Sequence, residues 1–247
     1  MHRKFGLIGY PLGHSFSRSY HNERFTRMGV DAEYNNYELD DISLLPHLLM
    51  DVPNLFGLNV TIPYKQAVLP YLDEIDDVAK SIGAVNVIRI ERENCRVRMV
   101  GYNTDYIGFR NSISPFINCC HTSALVLGTG GASKAVSTAL RDMGIAVQIV
   151  SRNSGMGIIS YEELTPQIVL DNKIIINATP LGMYPNVDTY PSICYDAITS
   201  QHLCYDVVYN PANTRFMQLC AARGAVVCNG LKMLYGQADA AWEIWNR

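Results

Sequence analysis

Residues 123–152 read SALVLGTGGASKAVSTALRDMGIAVQIVSR, and the order of residue types in this stretch sets the fold class. An apolar run at 124–127 enters a turn holding Gly128, Gly130 and Gly131. A helical pattern with small residues toward the turn follows, stops at Gly144, and gives way to a second apolar strand, AVQIVSR. Strand, glycine turn, helix and strand form the βαβ unit that binds a nucleotide. The glycines let the backbone approach a pyrophosphate, and the free N–H groups and positive end of the helix meet its charge. The third glycine of a strict G-x-G-x-x-G would fall at Ser133, a residue small enough to keep helix and strand close. A plain tight turn is the alternative reading of the glycines alone; the flanking strand and helix favour the nucleotide.

The end of the second strand selects between nucleotides. An unphosphorylated ribose is usually held there by an acid, and this chain has Ser151, Arg152 and Asn153 instead. A guanidinium can fork onto a 2′-phosphate and stack on adenine. From this residue by itself a solvated surface arginine is an equal reading. The later strands KIIINAT and LCYDVVYN continue a parallel set, and TRFMQLCAARG with AVVCNG adds one more helix and strand.

Upstream, the chain alternates differently. KFGLIGYP, AEYNNYEL and LFGLNVTI read as strands, while SYHNERFTRMG, LLPHLLM and DEIDDVAKSIG read as helices, the last with Gly83 as its stop. VNVIRI and RVRMVGYN read as an antiparallel pair around the polar turn ERENC, so this half carries a mixed sheet. TDYIGFRNSISPFI is helix-like and leads into the second half. Within this half NVTIPYK, residues 59–65, starts as a buried strand, stops at Pro63 and delivers Lys65. A lysine past a strand end is either a solvated loop charge or a group presented at the lip of a cleft.

Composition narrows the function classes. With 247 residues, 48% apolar and 17% charged, the chain can bury one large core or two modest ones. A net charge of -3 with scattered Lys and Arg offers no stripe for nucleic acid. FGLIGYPLG is too broken by Gly and Pro for a signal peptide, and no run nears the ~18 apolar residues of a membrane span. Seven cysteines, none spaced C-x-x-C and with Cys119 and Cys120 adjacent, read as reduced thiols in a cytoplasmic protein. The six histidines lack metal-ligand spacing, so no metal is expected, and His14 and His21 read as local hydrogen-bonding residues.

Eight segments then carry a family resemblance. GHSFSRSYHN, NVTIPYK, GAVNVI, GYNTDYIGF, GTGGASKAV, NATPLGM, YDVVYNP and NGLKMLYGQA resemble, in order and across nearly the whole chain, the motifs of the shikimate/quinate dehydrogenase family. Arg18 stands where the family usually has proline, and the segment 153–173 is short for the usual helix plus strand. The resemblance implies an α/β chain of two domains. A mixed-sheet substrate domain would span 1–103 with 231–247, the last helix returning to it, and a Rossmann-type doubly wound NADP-binding domain would span 104–230. It also places the site in the groove between them.

The implied reaction is the reversible, NADPH-dependent reduction of 3-dehydroshikimate to shikimate, a step toward aromatic amino acids. A ketone that accepts hydride becomes an alkoxide and needs a proton from a placed acid. The resemblance assigns that role to Lys65, with Asp105 as its partner, although NTD alone also reads as a helix cap. Ser15 and Ser17 match the carboxylate-binding serines, and Thr61, Asn86, Tyr209 and Gln237 match positions around the ring hydroxyls. Gly128, Gly130, Gly131, Ala132, Ser151, Arg152, Thr179, Val207 and Gly230 match the NADP(H) site. Leu234, Ala238, Ala241 and Trp242 fall at helical spacing and read as core. The expected partner is the small-molecule substrate, with the chain a monomer or homodimer. The alternatives are a relative that takes quinate or NAD, and a nucleotide-binding regulator that kept the fold without the chemistry; Lys65 and Asp105 together argue against the latter.

Overall fold

The computed structural model describes residues 2–13, 16–93 and 96–247. The chain divides into two compact units, residues 1–104 with 238–247, and residues 105–237.

The first unit is built on β1 (Arg3–Gly9), α1 (Phe16–Met28), β2 (Ala32–Glu38), α2 (Leu45–Asp51), β3 (Leu55–Val60), α3 (Tyr64–Ala67), β4 (Glu74–Ile75), α4 (Asp77–Ile82), β5 (Val87–Glu93) and β6 (Arg96–Tyr102). Its sheet runs β2-β1-β3-β5-β6-β4. The pairs β1–β2, β1–β3 and β4–β6 are parallel, whereas β3–β5 and β5–β6 are antiparallel, so the sheet is mixed. Both faces are covered. Ile8, Leu58, Val60 and Ile88 look into one core, while Phe5, Phe25, Tyr34 and Val87 pack with the chain's last turns on the other.

DEIDDVAKSIG is not one helix. Glu74 and Ile75 pair with Val100 and Gly101 as β4. The helix begins after Asp76, whose side chain accepts from the Val78 N–H, and ends at Gly83 in the left-handed region at φ 68°. The cap decides the boundary, because the Asp76 carboxylate supplies the acceptor that the first helical amides lack.

α5 (Thr104–Ile113) opens the second unit, followed by β7 (Ser123–Leu127), α6 (Gly131–Asp142), β8 (Ala146–Ser151), β9 (Ile158–Ser160), α7 (Pro166–Asp171), β10 (Ile174–Asn177), β11 (Leu203–Asp206), α8 (Arg215–Ala221), β12 (Val226–Cys228) and α9 (Leu231–Trp245). The sheet order is β12-β11-β10-β7-β8-β9, and every pairing is parallel. β7 and β8 lead to one edge and β10 to β12 lead to the other. The reversal between β7 and β10 is the switch point at which doubly wound sheets bind ligands. Continuous burial of β7, β10 and β11 fits strands covered on both faces.

The short segment after Arg152 contains elements that its composition did not announce. A turn with Gly157 at φ 71° brings the chain back, and β9 adds to β8 in parallel before the short α7. Thr165 caps α7 through the Ile168 N–H, with Pro166 next to it. The last helix is divided: residues 231–237 of α9 group with the second unit and residues 238–247 with the first. In the first unit Ala241, Ile244 and Trp245 are core, and Trp242 packs against them. The Trp245 indole lies over Gly57, where a Cβ would come within 2.3 Å of the ring, and donates to the Ile88 carbonyl at 3.0 Å.

Candidate active site

In the first unit a polar cluster forms where β3 ends. Thr61 donates its N–H to Ile8 O and accepts that of Tyr64. Lys65 lies on the one-turn helix α3, not in a loop, and is half-buried. Its carbonyl accepts from the Val85 N–H at 2.8 Å, which ties the turn to the strand entering β5. Asn86 is buried and held on several sides. Its Oδ1 accepts from the Thr104 N–H at 2.7 Å, its Nδ2 donates to Thr104 Oγ1 at 3.1 Å, and its carbonyl accepts from the Val60 N–H. One Nδ2 hydrogen is left for another acceptor.

Ser17, in the first turn of α1, hydrogen-bonds the Tyr34 hydroxyl. That hydroxyl also donates to Asn59 Oδ1 at 2.7 Å, and Asn59 Nδ2 reaches the Asn86 carbonyl at 3.4 Å. Ser17, Thr61, Lys65 and Asn86 therefore belong to one connected region of the first unit. Tyr34 and Asn59, which join them, were not singled out from the sequence. Asn59 had a signal, as a polar residue inside an otherwise buried strand, since buried amides need partners. Burial raises the Tyr34 phenol well above its ordinary range, so it stays a neutral donor. Ser15 lies outside the described residues, as does His14.

His21 corrects the expectation of a hydrogen-bonding histidine. It is 0% exposed, both ring nitrogens lack partners among the described residues, and it stacks on Tyr34 with centroids 4.8 Å apart. Desolvation, followed by the Arg24 charge, pushes its pKa down to about 3. The aromatic surroundings and the absence of an acceptor favour the neutral ring.

In the second unit the glycine turn sits at the carboxyl ends of β7 and β10. Gly128 adopts φ 113°, and a Cβ there would come within 3.0 Å of the Ala178 carbonyl and 3.2 Å of Thr179 Cγ2. Ser133, in place of the third glycine, donates its hydroxyl to the Gly128 carbonyl at 2.6 Å and so closes the turn on the helix. Gly130 has nothing within 4 Å of where a Cβ would point, and α6 has no side-chain cap. Gly131 and Ala132 start that helix, where amide groups lack intrahelical partners. An open, uncapped helix start beside a crowded glycine fits the pyrophosphate of a dinucleotide.

The neighbouring strand ends complete the crevice. Thr179 donates its N–H and hydroxyl to Asn177 Oδ1, at 3.1 and 2.6 Å. Val207 donates its N–H to the Asn177 carbonyl, and a Cβ on Gly230 would lie 2.0 Å from the Val207 carbonyl oxygen, so only glycine fits there. Ser151 ends β8, and Arg152 after it is exposed, with no hydrogen bond or ion pair among the described residues.

Asp105 stands in the first turn of α5 and is 7% exposed. Gln237 on α9 is also buried and donates to the Leu234 carbonyl at 3.1 Å. Their helices approach at Gly108, where a Cβ would lie 2.5 Å from the Met233 carbonyl oxygen and 2.9 Å from the Gln237 nitrogen. Tyr209 is 38% exposed, and desolvation raises its phenol pKa. Among the described residues no group of His, Cys, Asp and Glu could hold a metal, and no helix is long and apolar enough to cross a membrane.

Comparison with known proteins supplies the family. Residues 7–88 match the shikimate dehydrogenase substrate binding domain. The NADP(+) shikimate dehydrogenase of Clostridium beijerinckii is 41% identical over 98% of this chain and 91% of its own. The crystal structure of shikimate 5-dehydrogenase from Thermus thermophilus with NADP(H) and shikimate matches with a TM-score of 0.85 and 29% identity, covering 98% of this chain and 93% of that one. Quinate dehydrogenase from Corynebacterium glutamicum with NAD matches with a TM-score of 0.86 at 26% identity, covering 98% and 93%. Near-complete alignment with relatives above 30% identity settles the assignment, and the chain belongs to the shikimate dehydrogenase family.

Proposed function

We propose that this chain catalyses the reversible, NADPH-dependent reduction of 3-dehydroshikimate to shikimate, as an oxidoreductase of aromatic amino-acid biosynthesis. The reading rests above all on the cluster at the end of β3, where a half-buried lysine stands beside a threonine and a buried, pre-oriented asparagine. Bound NADPH supplies the hydride. The protein's part is to hold the ring, move one proton and seat the dinucleotide.

The Lys65 ammonium donates its proton to the developing alkoxide oxygen and takes one back in the oxidation of shikimate. Asp105 pairs with it as the counter-charge that keeps the ammonium oriented. Ser15 and Ser17 receive the substrate carboxylate through hydroxyl donors, while Thr61, Asn86, Tyr209 and Gln237 bond the ring hydroxyls. Asn86 is suited to this because the Thr104 contacts fix its amide and leave one donor hydrogen over. A neutral binding set adds no charge of the protein's own around the ring, and the serine hydroxyls meet the substrate carboxylate as hydrogen-bond donors.

On the cofactor side Gly128, Gly130, Gly131 and Ala132 seat the pyrophosphate against the start of α6. Ser151 and Arg152 hold the adenosine 2′-phosphate, and Thr179, Val207 and Gly230 line the path toward the nicotinamide. The enzyme works in the cytoplasm, where NADPH and unpaired thiols are both ordinary, as a monomer or homodimer. The match to a quinate dehydrogenase with NAD keeps one second reading, a relaxed enzyme that takes either acid or either nucleotide. Absorbance of reduced nicotinamide, followed with shikimate or quinate against NADP or NAD, separates them. The proposal expects shikimate with NADP to be the fastest combination, and comparable or higher rates with quinate and NAD would replace it with the second reading.

A further inference from the structure

We infer that Asp206 is a positioning residue of the cofactor crevice, a buried carboxylate that sets the spacing between the loops after β10 and β11. The inference rests on the reading that Thr179 and Val207 face the dinucleotide, and it concerns a residue that touches neither substrate nor cofactor. Asp206 ends β11 directly opposite Asn177, the last residue of β10. Its side chain is 0% exposed.

Three donors converge on it. Asn177 Nδ2 and the Val208 N–H reach Oδ1, each at 3.0 Å, and Thr214 Oγ1 reaches Oδ2 at 2.6 Å. Each donor leads outward. Asn177 turns its Oδ1 to the N–H and hydroxyl of Thr179, and its Nδ2 also meets the Leu181 carbonyl at 3.2 Å. Val208 adjoins Val207, and its carbonyl accepts the Gly230 N–H at 3.2 Å. Thr214 caps α8 by accepting from the Met217 N–H. One carboxylate thus joins the segment carrying Thr179 to the segment carrying Val207 and, beyond it, to Gly230.

The choice of an ionisable residue here needs a reason. Among the described residues no lysine or arginine pairs with Asp206, so its charge is met by neutral donors alone, and an apolar residue of similar shape would leave all three of them buried without a partner. What it supplies is acceptor capacity. A carboxylate presents two acceptor oxygens and no donor, whereas an amide of the same size presents one oxygen and an NH2. Asparagine at 206 turns one acceptor into an NH2, which the Asn177 and Val208 N–H groups cannot accept and which the Thr214 hydroxyl meets only by accepting, with its own hydrogen then left unbonded. Burial pushes the pKa of Asp206 up to about 6, with Thr214, Val208 and Asn177 opposing the shift, so the carboxylate is the main form at neutral pH.

The test is the isosteric variant Asp206→Asn, read by calorimetric titration with NADP alone and with shikimate alone, beside a thermal melt. The expected result is a dissociation constant for NADP raised at least tenfold and one for shikimate changed less than twofold. In steady-state assays the KM for NADP should rise more than kcat falls. Asn177→Ala, which cuts the arm from Asp206 to Thr179 and leaves the Thr214 and Val208 contacts, is run in parallel and decides the matter if Asp206→Asn does not fold. NADP affinity within twofold of wild type in a folded Asp206→Asn, or in folded Asn177→Ala where the first variant fails, overturns the assignment and leaves Asp206 a structural residue. Equal losses for NADP and shikimate also overturn it, since they indicate general disorder. A wild-type chain that binds neither NADP nor NAD overturns both this inference and the proposed function, whereas normal wild-type binding with an unchanged ratio in the variants removes the inference alone.

Discussion

Gly108 on α5 and Gly236 on α9 meet backbone to backbone: a Cβ on Gly236 would stand 3.2 Å from the Gly108 Cα. The two sites differ in tolerance. At Gly108 the added methyl would meet the Met233 carbonyl oxygen at 2.5 Å, a backbone atom that cannot turn aside, whereas at Gly236 the contact is tight but above 3 Å. Alanine gains up to about 1 kcal/mol of helix propensity at either position. At Gly108 overpacking of roughly 1–3 kcal/mol outweighs that gain. Gly108→Ala should lower the melting temperature and raise KM for shikimate, because Asp105 and Gln237 ride on the helices that are forced apart. Gly236→Ala should melt near wild type. Equal melts for the two variants would contradict the geometric distinction.

Lys65 carries the strongest catalytic expectation. Lys65→Ala should reduce kcat by roughly 10²–10⁴, the usual worth of a placed acid–base group, with a smaller change in KM for shikimate. Asp105→Asn should be severely impaired too. The double variant should be little worse than the worse single, because groups that act as a unit are not additive. Steady-state kinetics with a melt of each variant provide the check. A near-normal kcat in folded Lys65→Ala would return the residue to a solvated position on α3.

How far the sequence foretold this depends on the range of the interaction. Gly128, Gly130 and Gly131 were legible because the turn, the strand before it and the helix after it are local, and their spacing is the signal. Gly83 was legible as a helix stop for the same reason. β4 was not, since two residues, Glu74 and Ile75, owe their pairing to Val100 and Gly101. β9 was hidden likewise, as a three-residue edge strand whose existence depends on β8. Asp206 is an ordinary strand-end acid in the sequence, and its meaning comes from Asn177 and Thr214, 29 and 8 residues away. The Trp245–Ile88 bond spans 157 residues and leaves no local pattern at all.

Arg152 should decide nucleotide preference. It is exposed and unpaired among the described residues, so an incoming phosphate has no internal ion pair to displace. Arg152→Ala should remove charge-assisted contacts worth about 1.5–3 kcal/mol, a loss of about ten- to a hundredfold for NADP. Binding of NAD, which lacks the 2′-phosphate, should change little. Titration of wild type and Arg152→Ala with both nucleotides gives the ratio directly. Equal use of NADP and NAD by the wild type would remove the basis for the prediction.

His21 should make the first unit acid-sensitive. Its pKa falls from 6.5 in the unfolded chain to about 3 in the fold, chiefly through desolvation, with Arg24 adding to the shift and Asp239 opposing it. The unfolded state therefore binds the extra proton between those two values and the native state does not. By linkage, stability from this group is complete above pH 6.5 and declines as pH falls toward 3, by about 1.4 kcal/mol per pH unit inside the window. Phenylalanine in place of His21 keeps an aromatic ring against Tyr34, Phe25 and Trp245 and removes the titrating group. Denaturant unfolding of wild type and His21→Phe, compared between pH 6 and pH 4, isolates the term, because other titrating groups are common to both chains. The difference should shift in favour of the variant as pH falls, with that slope. A difference independent of pH would mean that the ring is protonated in the fold or solvated through an opening, and that its burial is not what holds it neutral.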